Sequence, residues 1–363
     1  MTFMTNVLLA TVMLTTTPGV QSALDQAVAD GAPGMAAEVR DGHKRWYGSA
    51  GAADTETGRK RKAQERFRIG SATKALTATV VLQLVGEGRL SLDDTVEKWL
   101  PGLVQGNGYD GNTITVRQLL NHTSGIFNYG NDPEFFKLGV GEAWFEHRYD
   151  VHTPEELVKI GLRNPPYFQP GKGFGYSNTN YFLAAMIVEK ITGRSLAREI
   201  ERRIARPLGL SGTYLPGADT VIRGPHPVHY STLFVPGGKV YDASDADQSF
   251  AWAAGGAVST TGDLQVFFRA LLGGRLLPAA EQKELLTTVE TSGWIPNTRY
   301  GLGVFSQTLP CGVTVWGGGG ATFGSWVYAM GSKDGKHFVT TQVNGDWSGL
   351  APFDAVLAAE FCS

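Results

Sequence analysis

The sequence predicts an α+β fold in which both ends of the chain build one antiparallel sheet that helices flank. Strand patterns near both ends surround the hairpin signals Asp41-Gly42 and Asp334-Gly335. The middle of the chain has helical patterns with long loops. Strands at both ends with helices between them therefore predict a mainly helical insertion inside one sheet domain.

The boundaries of these segments follow from the same patterns. We expect residues 23–90 and 250–363 to form the sheet domain and residues 91–249 to form the insertion. Residues 1–22 are a candidate leader, because they contain an apolar stretch of signal-peptide length, although no basic residue precedes it. That stretch is too short and too rich in threonine to span a bilayer, so we expect no stable membrane span.

Six helix patterns follow one another along the chain. Thr153 is the clearest N-cap, because proline and two acids fill the first turn after it. Gly193 and Gly273 are helix stops. The six patterns are ALDQAVADG, the segment from Ser71 to about Gly86, the segment after Thr153, NTNYFLAAMIVEKITG, TTGDLQVFFRALLGG and APFDAVLAAEF.

Composition argues against several classes of function. The chain has 363 residues, of which 42% are hydrophobic, and its net charge of −2 gives no electrostatic footprint for nucleic acid. The basic run GRKRK is short and is interpreted as a solvated turn. His226 and His229 lie among prolines rather than on one helix face, so we expect no metal site, and no motif indicates another cofactor.

Two cysteines, Cys311 and Cys362, leave the cellular compartment open. They are either two buried thiols of a cytoplasmic protein or one disulfide of a secreted protein. Cys362 is the penultimate residue, where a bridge would anchor a loose terminus, and this favours a disulfide and secretion. The missing basic n-region keeps a cytoplasmic location open.

The stretch GSATKALTATVVLQLVGEG places Ser71 and Lys74 three residues apart, on one face of a helix. The apolar residues that follow predict that this helix is buried, and burial lowers the pKa of a lysine into the range of a general base. A serine hydroxyl becomes a nucleophile beside such a base, and the helix N-terminus offers backbone N–H groups to a developing oxyanion. The same spacing also occurs by chance, with the serine as an N-cap and the lysine in solvent.

Two further motifs can complete this site. In GYSNTNY, Tyr176 can pass a proton to a leaving group and Asn178 can hold a substrate carbonyl, although a packing tyrosine and a helix-capping asparagine would give the same pattern. In VWGGGGATFG, four glycines (317–320) precede a strand. They indicate either a bulge or a strand edge left bare for a substrate backbone. A phosphate-binding loop is disfavoured, because no Gly-Lys-Ser/Thr follows.

These three motifs, in this order and spacing, resemble those of the serine β-lactamase and penicillin-binding protein superfamily. The class C branch and the secreted actinomycete DD-carboxypeptidase/transpeptidase are the most similar. The stretches RFRIGSATKALTA, ITVRQLLNHTSGI and GSKDGKHFVT support the resemblance, which covers about residues 23–362. It implies a β-lactamase-like fold and an acyl-enzyme on Ser71, with Lys74 as the base. It also implies that Tyr176 protonates the leaving group and then activates the acceptor.

The resemblance implies roles for further residues as well. The backbone amides of Ser71 and Ala321 would form the oxyanion hole, and Cys311 and Cys362 fall where that carboxypeptidase has its disulfide. The candidate substrate-binding residues, with the two aromatic ones as pocket walls, are Asn178, Trp252, Phe305, Gly318, Gly319, Gly320 and Ala321.

The departures from the family pattern bear on the substrate. The family has Lys or His, then Thr or Ser, then Gly, where this chain has Gly318, Gly319 and Gly320. The carboxypeptidase binds the free carboxylate of its substrate with an arginine and threonines, and the matching positions here are Phe305, Gly319 and Ala321. A buried, unpaired carboxylate is costly. We therefore expect a serine hydrolase or acyltransferase, such as an esterase or transacylase. Its substrate would be a small or peptide-like ester or amide without a terminal carboxylate, and water, an amine or an alcohol would be the acceptor.

Other interpretations remain beside this one. The first is a D-alanyl-D-alanine carboxypeptidase/transpeptidase or a β-lactamase-like enzyme. The second is a non-catalytic binding protein of the same fold, because the third motif has lost its cation. An α/β-hydrolase lacks support, since no G-x-S-x-G occurs. His122, in NHTSG, is interpreted as a structural loop residue.

Overall fold

The computed structural model describes residues 18–362 and joins strands from both ends of the chain in one eight-stranded sheet. Neighbouring strands of this sheet are antiparallel. Across the sheet the strands are, in order, Lys44–Gly51, Gly34–Asp41, His337–Val343, Ser325–Gly331, Thr314–Thr322, Phe305–Thr308, Thr298–Tyr300 and Val289–Glu290. The predicted α+β fold, with one antiparallel sheet built from both chain ends, is confirmed.

The two hairpin signals form tight turns at one end of this sheet. Asp41 pairs with Lys44 across the first turn, and Gly42 adopts a φ of 56°. Gly335 adopts a φ of 70° in the second turn. Positive φ values are strained for most residues and cost little for glycine, which explains why an Asp-Gly pair predicts these turns.

Helices cover both faces of the sheet. The first helix, Pro18–Ala29, packs beside the last, Ala351–Phe361, while Thr261–Leu272 contacts the strand His337–Val343. The other helices are Thr73–Gly86, Val96–Trp99, Val116–Leu120, Pro133–Lys137, Ala143–His147, Pro154–Leu162, Asn178–Thr192, Leu196–Ile200, Arg206–Leu208, Trp252–Gly255 and Ala279–Leu285, with a π-helical turn at Glu201–Ala205 and 3₁₀ turns at Gly70–Ala72 and Tyr129–Asn131.

Short strand pairs complete the secondary structure. The three pairs are Phe67–Arg68 with Val258–Ser259, Gln105–Gly106 with Tyr109–Asp110, and Tyr230–Ser231 with Tyr241–Asp242.

The largest hydrophobic core surrounds the helix Thr73–Gly86. Its residues Leu76 and Val80 are completely buried, as the sequence predicts. The helices Asn178–Thr192 and Ala279–Leu285 pack against it, so one core joins residues from the predicted sheet domain and from the predicted insertion. The boundary between those two segments stays a prediction.

The termini differ in part from expectation. Of the candidate leader, residues 1–17 lie outside the described residues, and residues 18–22 form the start of the helix Pro18–Ala29, where Val20 is completely buried. The predicted boundary at residue 22 therefore falls inside a packed helix. At the other end, a disulfide joins Cys311 to Cys362, with 5.8 Å between the Cα atoms. Within residues 18–362, the helices are all too short or too polar to cross a membrane.

Candidate active site

Ser71 lies in a tight turn that leads into the buried helix. A 3₁₀ turn covers Gly70–Ala72, and the α-helix begins at Thr73. The sequence predicts a helix that begins at Ser71, and the regular helix starts two residues later than this prediction. The Ser71 side chain caps neither the 3₁₀ turn nor the α-helix, and its hydroxyl is therefore available to Lys74.

Lys74 is the group on which the chemistry of this turn depends. Its side chain is 1% exposed. Its Nζ atom lies 3.0 Å from Ser71 Oγ, 2.7 Å from Asn178 Oδ1 and 2.8 Å from the carbonyl oxygen of Ala254. Burial lowers the pKa of Lys74 well below its ordinary value, because water no longer solvates the ammonium form.

These three contacts give a neutral amine one orientation. The Asn178 and Ala254 oxygens are carbonyl acceptors, so they accept the two N–H bonds of the neutral Lys74 amine. The remaining position on a neutral nitrogen, the lone pair, then faces Ser71 Oγ at 3.0 Å and can accept the proton of the serine hydroxyl. This geometry suits proton abstraction from the serine.

The ring of Tyr176 faces the Lys74 amine. Its ring centroid is 4.7 Å from Lys74 Nζ. Burial raises the pKa of Tyr176, and a hydrogen bond with Ser71 opposes that rise only in part. The phenol is therefore protonated at neutral pH and can act as an acid. Asn178 begins the helix Asn178–Thr192, but its side chain accepts from Lys74 rather than capping the helix.

The glycine-rich strand packs directly against the Ser71 turn. A Cβ atom on Gly320 would lie 2.3 Å from the Ser71 backbone nitrogen, and one on Gly70 would lie 2.7 Å from that of Ala321. Gly70 also has a φ of +48°. Glycine is thus required at both positions, and this close packing brings the backbone of Ser71 and that of Ala321 near each other.

Gly318 and Gly319, in the same run of glycines, face aromatic rings of the chain. A Cβ atom on Gly318 would lie 2.7 Å from the ring of Phe268, and one on Gly319 would lie 2.6 Å from the ring of Tyr328. Neither lines the cavity at Ser71, whereas Ala321 does. Their missing side chains make room for rings of the same chain, and a substrate-binding role for the backbone of Gly318 and Gly319 stays a prediction.

A cavity of about 250 Å³ opens beside Ser71. Aromatic side chains supply most of its apolar wall, and one cation, Arg148, also lines it. The guanidinium of Arg148 lies over the rings of Trp144 and Tyr149, and its buried Nε atom has no hydrogen-bond partner among residues 18–362. The aromatic residues that line the cavity are Tyr129, Phe135, Phe136, Trp144, Phe234, Phe250 and Phe323.

The predicted pocket walls Trp252 and Phe305 lie elsewhere. Trp252 packs edge-on against Phe182 of the core, with 5.3 Å between ring centroids. Phe305 is 4% exposed and packs against Trp294 and Tyr328. Neither lines the cavity beside Ser71, so this prediction is corrected: both rings are held by other aromatic side chains.

Sequence reasoning missed three kinds of groups in this site. The Ala254 carbonyl is a backbone group and leaves no side-chain signal. Phe135 lies in the helix Pro133–Lys137 and Phe234 in a distant turn, so no local pattern joins these two walls. Phe323 had a usable signal, since it lies two residues after Ala321 in the third motif.

The two histidines of HPVH lie in different environments. His226 is half-buried and its Nδ1 atom lies within hydrogen-bond distance of the Gly224 carbonyl, at 2.8 Å, while His229 is completely buried. Among residues 18–362, no cluster of three histidine, cysteine or carboxylate side chains lies in ligand geometry.

A buried lysine that shares a hydrogen bond with a serine, beside a tyrosine, is the arrangement expected of a serine nucleophile activated by a lysine base. Comparison with known proteins agrees. The family model "Beta-lactamase" matches residues 20–359, and the chain belongs to that family.

Two solved structures cover nearly the whole chain. A D-stereospecific amidohydrolase from Streptomyces sp. is 48% identical, with a TM-score of 0.90, over 96% of this chain and 99% of that one. The D-amino acid amidase of Ochrobactrum anthropi SV3, complexed with L-phenylalanine amide, is 26% identical, with a TM-score of 0.81, over 94% of this chain and 97% of that one.

Curated relatives match over shorter stretches. Penicillin-binding protein 4* of Bacillus subtilis is 34% identical over 46% of this chain and 34% of its own length. Esterase EstB of Burkholderia gladioli is 33% identical over 48% of this chain and 45% of its own length. The chain thus spans between a third and a half of the length of these curated relatives.

Proposed function

We propose that this protein hydrolyses amides and esters of D-configured amino acids that lack a free terminal carboxylate. One observation carries the proposal: a buried Lys74 amine lies 3.0 Å from the Ser71 hydroxyl, beside a third motif with no charged side chain. The names of two structural relatives, a D-stereospecific amidohydrolase and a D-amino acid amidase, support the stereochemistry and the amide bond.

The first half of the reaction forms the acyl-enzyme. Lys74 takes the proton of Ser71, and the serine Oγ bonds to the carbonyl carbon of the substrate. The developing oxyanion is held by the backbone N–H groups of Ser71 and Ala321. The carbon–nitrogen bond then breaks, and Tyr176 gives its proton to the leaving nitrogen. The Lys74 ammonium, 4.7 Å from the tyrosine ring centroid, returns a proton to the phenolate.

The second half releases the acid. As the oxygen of a water molecule attacks the ester carbonyl, the water gives a proton to the Tyr176 phenol, and the phenol passes its own proton to the neutral Lys74 amine. The bond to Ser71 Oγ breaks, and the serine recovers its proton. An amine or alcohol in place of water would give acyl transfer instead of hydrolysis, by the same steps.

The cavity supports an apolar side chain on the acyl group. Its walls include Phe135, Phe234, Phe250 and Phe323, which favour an aromatic or large aliphatic side chain through burial of apolar surface. A substrate carboxylate at the third motif would meet no partner there, which favours an amide or ester end.

A second candidate is the hydrolysis of substrates that carry a free carboxylate, as in a D-alanyl-D-alanine carboxypeptidase. The observation that favours it is Arg148, a cation in the cavity wall whose Nε atom has no hydrogen-bond partner. In that case Arg148 would replace the cation that the third motif lacks.

One panel of substrates separates these candidates. D- and L-phenylalanine amide are compared with a D-alanyl-D-alanine peptide and its C-terminal amide, with Ser71→Ala as the inactive control. We expect kcat/KM for the D-amide to exceed that for the L-amide at least about tenfold, and the peptide amide to be cleaved faster than the free acid. A faster free acid whose advantage disappears in Arg148→Leu would favour the second candidate. If no substrate in the panel is cleaved and Ser71 takes no acyl group, the proposal fails.

A further inference from the structure

The histidine of the stretch NHTSG packs against the Tyr176 ring and is completely buried. His122 is 0% exposed and adopts a left-handed backbone with a φ of 62°. Histidine tolerates this conformation better than most residues, but it still costs free energy. Four aromatic rings surround the imidazole, those of Phe174, Tyr176, Tyr181 and Tyr300.

A directional hydrogen-bond chain ends on this imidazole. The Ile126 N–H donates to Ser124 Oγ, so the serine hydroxyl donates onward to Asn180 Oδ1 at 2.7 Å. This contact fixes the orientation of the Asn180 amide, whose Nδ2 atom then donates to His122 Nδ1 at 3.3 Å. The Ser177 backbone N–H donates to the same Nδ1 atom at 3.2 Å. An atom that accepts two such bonds carries no proton, so the neutral ring is protonated on Nε2.

His122 therefore contacts the loop of residues 175–177, which includes Tyr176, at three points. Its carbonyl oxygen accepts from the Gly175 N–H at 2.9 Å, its Nδ1 atom accepts from the Ser177 N–H, and its ring lies 4.4 Å from the Tyr176 ring between them. Asn178, the partner of Lys74, directly follows Ser177 and begins the helix Asn178–Thr192.

We propose that His122 is a positioning residue that sets the Tyr176 phenol and the Asn178 amide against Lys74. It acts through these side chains and does not touch the substrate. The claim rests on the proposed acyl-enzyme chemistry, but not on the stereochemistry or identity of the acyl group.

The same geometry requires His122 to stay neutral. The titratable and charged groups that face it are Lys74, from the helix Thr73–Gly86, and the phenols of Tyr176, Tyr181 and Tyr300. None is a carboxylate that could pair with an imidazolium. A proton on Nδ1 would also convert the acceptor of the Ser177 bond into a donor, which would release the loop. Burial, together with Lys74, lowers the pKa of His122 well below its ordinary value.

Two substitutions separate the parts of this role. His122→Phe keeps an aromatic ring between the tyrosines but removes the acceptor. His122→Asn keeps an acceptor oxygen near the place of Nδ1 and suits a left-handed backbone, but removes the ring. Because Tyr176 serves the leaving group, its misplacement should slow an amide more than a p-nitrophenyl ester, whose leaving group needs no proton.

The experiment measures kcat and KM for a p-nitrophenyl ester and for an amide. Titration with a fluorophosphonate counts the reactive Ser71 sites in each preparation, and kcat is expressed per reactive site. For His122→Phe we expect kcat on the amide to fall about 100-fold or more, the ester to fall less than about tenfold, and KM to change less than about threefold. His122→Asn should recover amide turnover to within about tenfold of wild type. A purely structural role predicts unchanged kcat per titrated site in both variants, and that result would overturn the proposal.

A measurement on the unmodified protein keeps the test independent of variant folding. Nitrogen-15 NMR of labelled histidine should show the His122 ring neutral, with the proton on Nε2, from pH 6 to pH 9. A proton on Nδ1 anywhere in that range would contradict the inference. Because this measurement needs no substrate, it can fail while the proposed function stands, and the reverse is also true.

Discussion

Replacement of Lys74 by methionine gives a test of whether this amine is neutral in the folded protein. Methionine keeps the length and the apolar stem, but it removes the titrating nitrogen. The two oxygens that accept from Nζ, Asn178 Oδ1 and the Ala254 carbonyl, lose their donor. Proton abstraction from Ser71 also stops, so we expect kcat to fall about 10²–10⁴-fold.

The sign of the pH effect follows from the lowered pKa of Lys74. Between the folded pKa and the ordinary value of 10.5, the unfolded chain carries a proton on this amine that the folded protein does not. The unfolded state binds more protons, so the free energy of unfolding rises with pH through that window by about 1.4 kcal/mol per pH unit. Methionine has no such proton.

The difference between wild type and Lys74→Met isolates this contribution, because the other titrating groups cancel. Urea unfolding of both proteins, followed by tryptophan fluorescence with the disulfide intact, gives the free energy at pH 7, 8 and 9. We expect wild type to gain stability on the variant between pH 7 and pH 9, by at most about 1.4 kcal/mol per pH unit, because the pKa of Lys74 is lowered in the folded protein. A difference that stays constant over this range would mean that Lys74 keeps its proton when folded, and it would refute the assignment of Lys74 as the base.

Three further predictions test the rest of the site and the fold. Gly320→Ala should lower both activity and melting temperature, because its Cβ atom would lie 2.3 Å from the Ser71 nitrogen. In the control Gly217→Ala the new Cβ atom meets nothing within 4 Å, so both quantities should stay unchanged. Equal effects in the two variants would count against the packing described. Tyr176→Phe should reduce kcat/KM for an amide about 100-fold and for a p-nitrophenyl ester less than about tenfold, and equal losses on the two substrates would exclude the phenol as the acid of the leaving group. Cys311→Ser should reduce the free energy of unfolding by up to about 4 kcal/mol, since the disulfide closes a loop of 51 residues, and a loss below about 1 kcal/mol in urea titration would contradict that estimate.

The parts of the site that the sequence predicted are the local ones. Ser71 and Lys74 are three residues apart, so the chain geometry brings them together wherever the turn lies. Tyr176 and Asn178 are likewise close in sequence, and the two Asp-Gly turns depend on a few residues each. The position of Tyr176 and Asn178 beside Lys74 could be predicted only from the family resemblance, because no local pattern connects residues about a hundred positions apart.

The parts that the sequence did not predict depend on tertiary packing. Phe135, Phe234 and Phe323 line one cavity from three distant segments, while the expected walls Trp252 and Phe305 are held by other rings. A glycine run gives no sign of which face will be crowded.

The buried histidine shows the same limit in another form. The motif NHTSG indicated a structural loop residue, and the hydrogen bonds that tie His122 to Ser177 and Asn180 appear only when the two segments are packed together. Spacing alone could not distinguish a loop anchor from a residue that positions the catalytic tyrosine.

Intact-mass spectrometry of the protein after reaction with a fluorophosphonate tests the central claim most directly, followed by peptide mapping of the modified residue. The account predicts one covalent adduct per chain, located on Ser71, formed at least about 100-fold more slowly in Lys74→Met and absent in Ser71→Ala. A folded wild-type protein that forms no adduct, or one whose adduct forms at the same rate without the lysine, would contradict it.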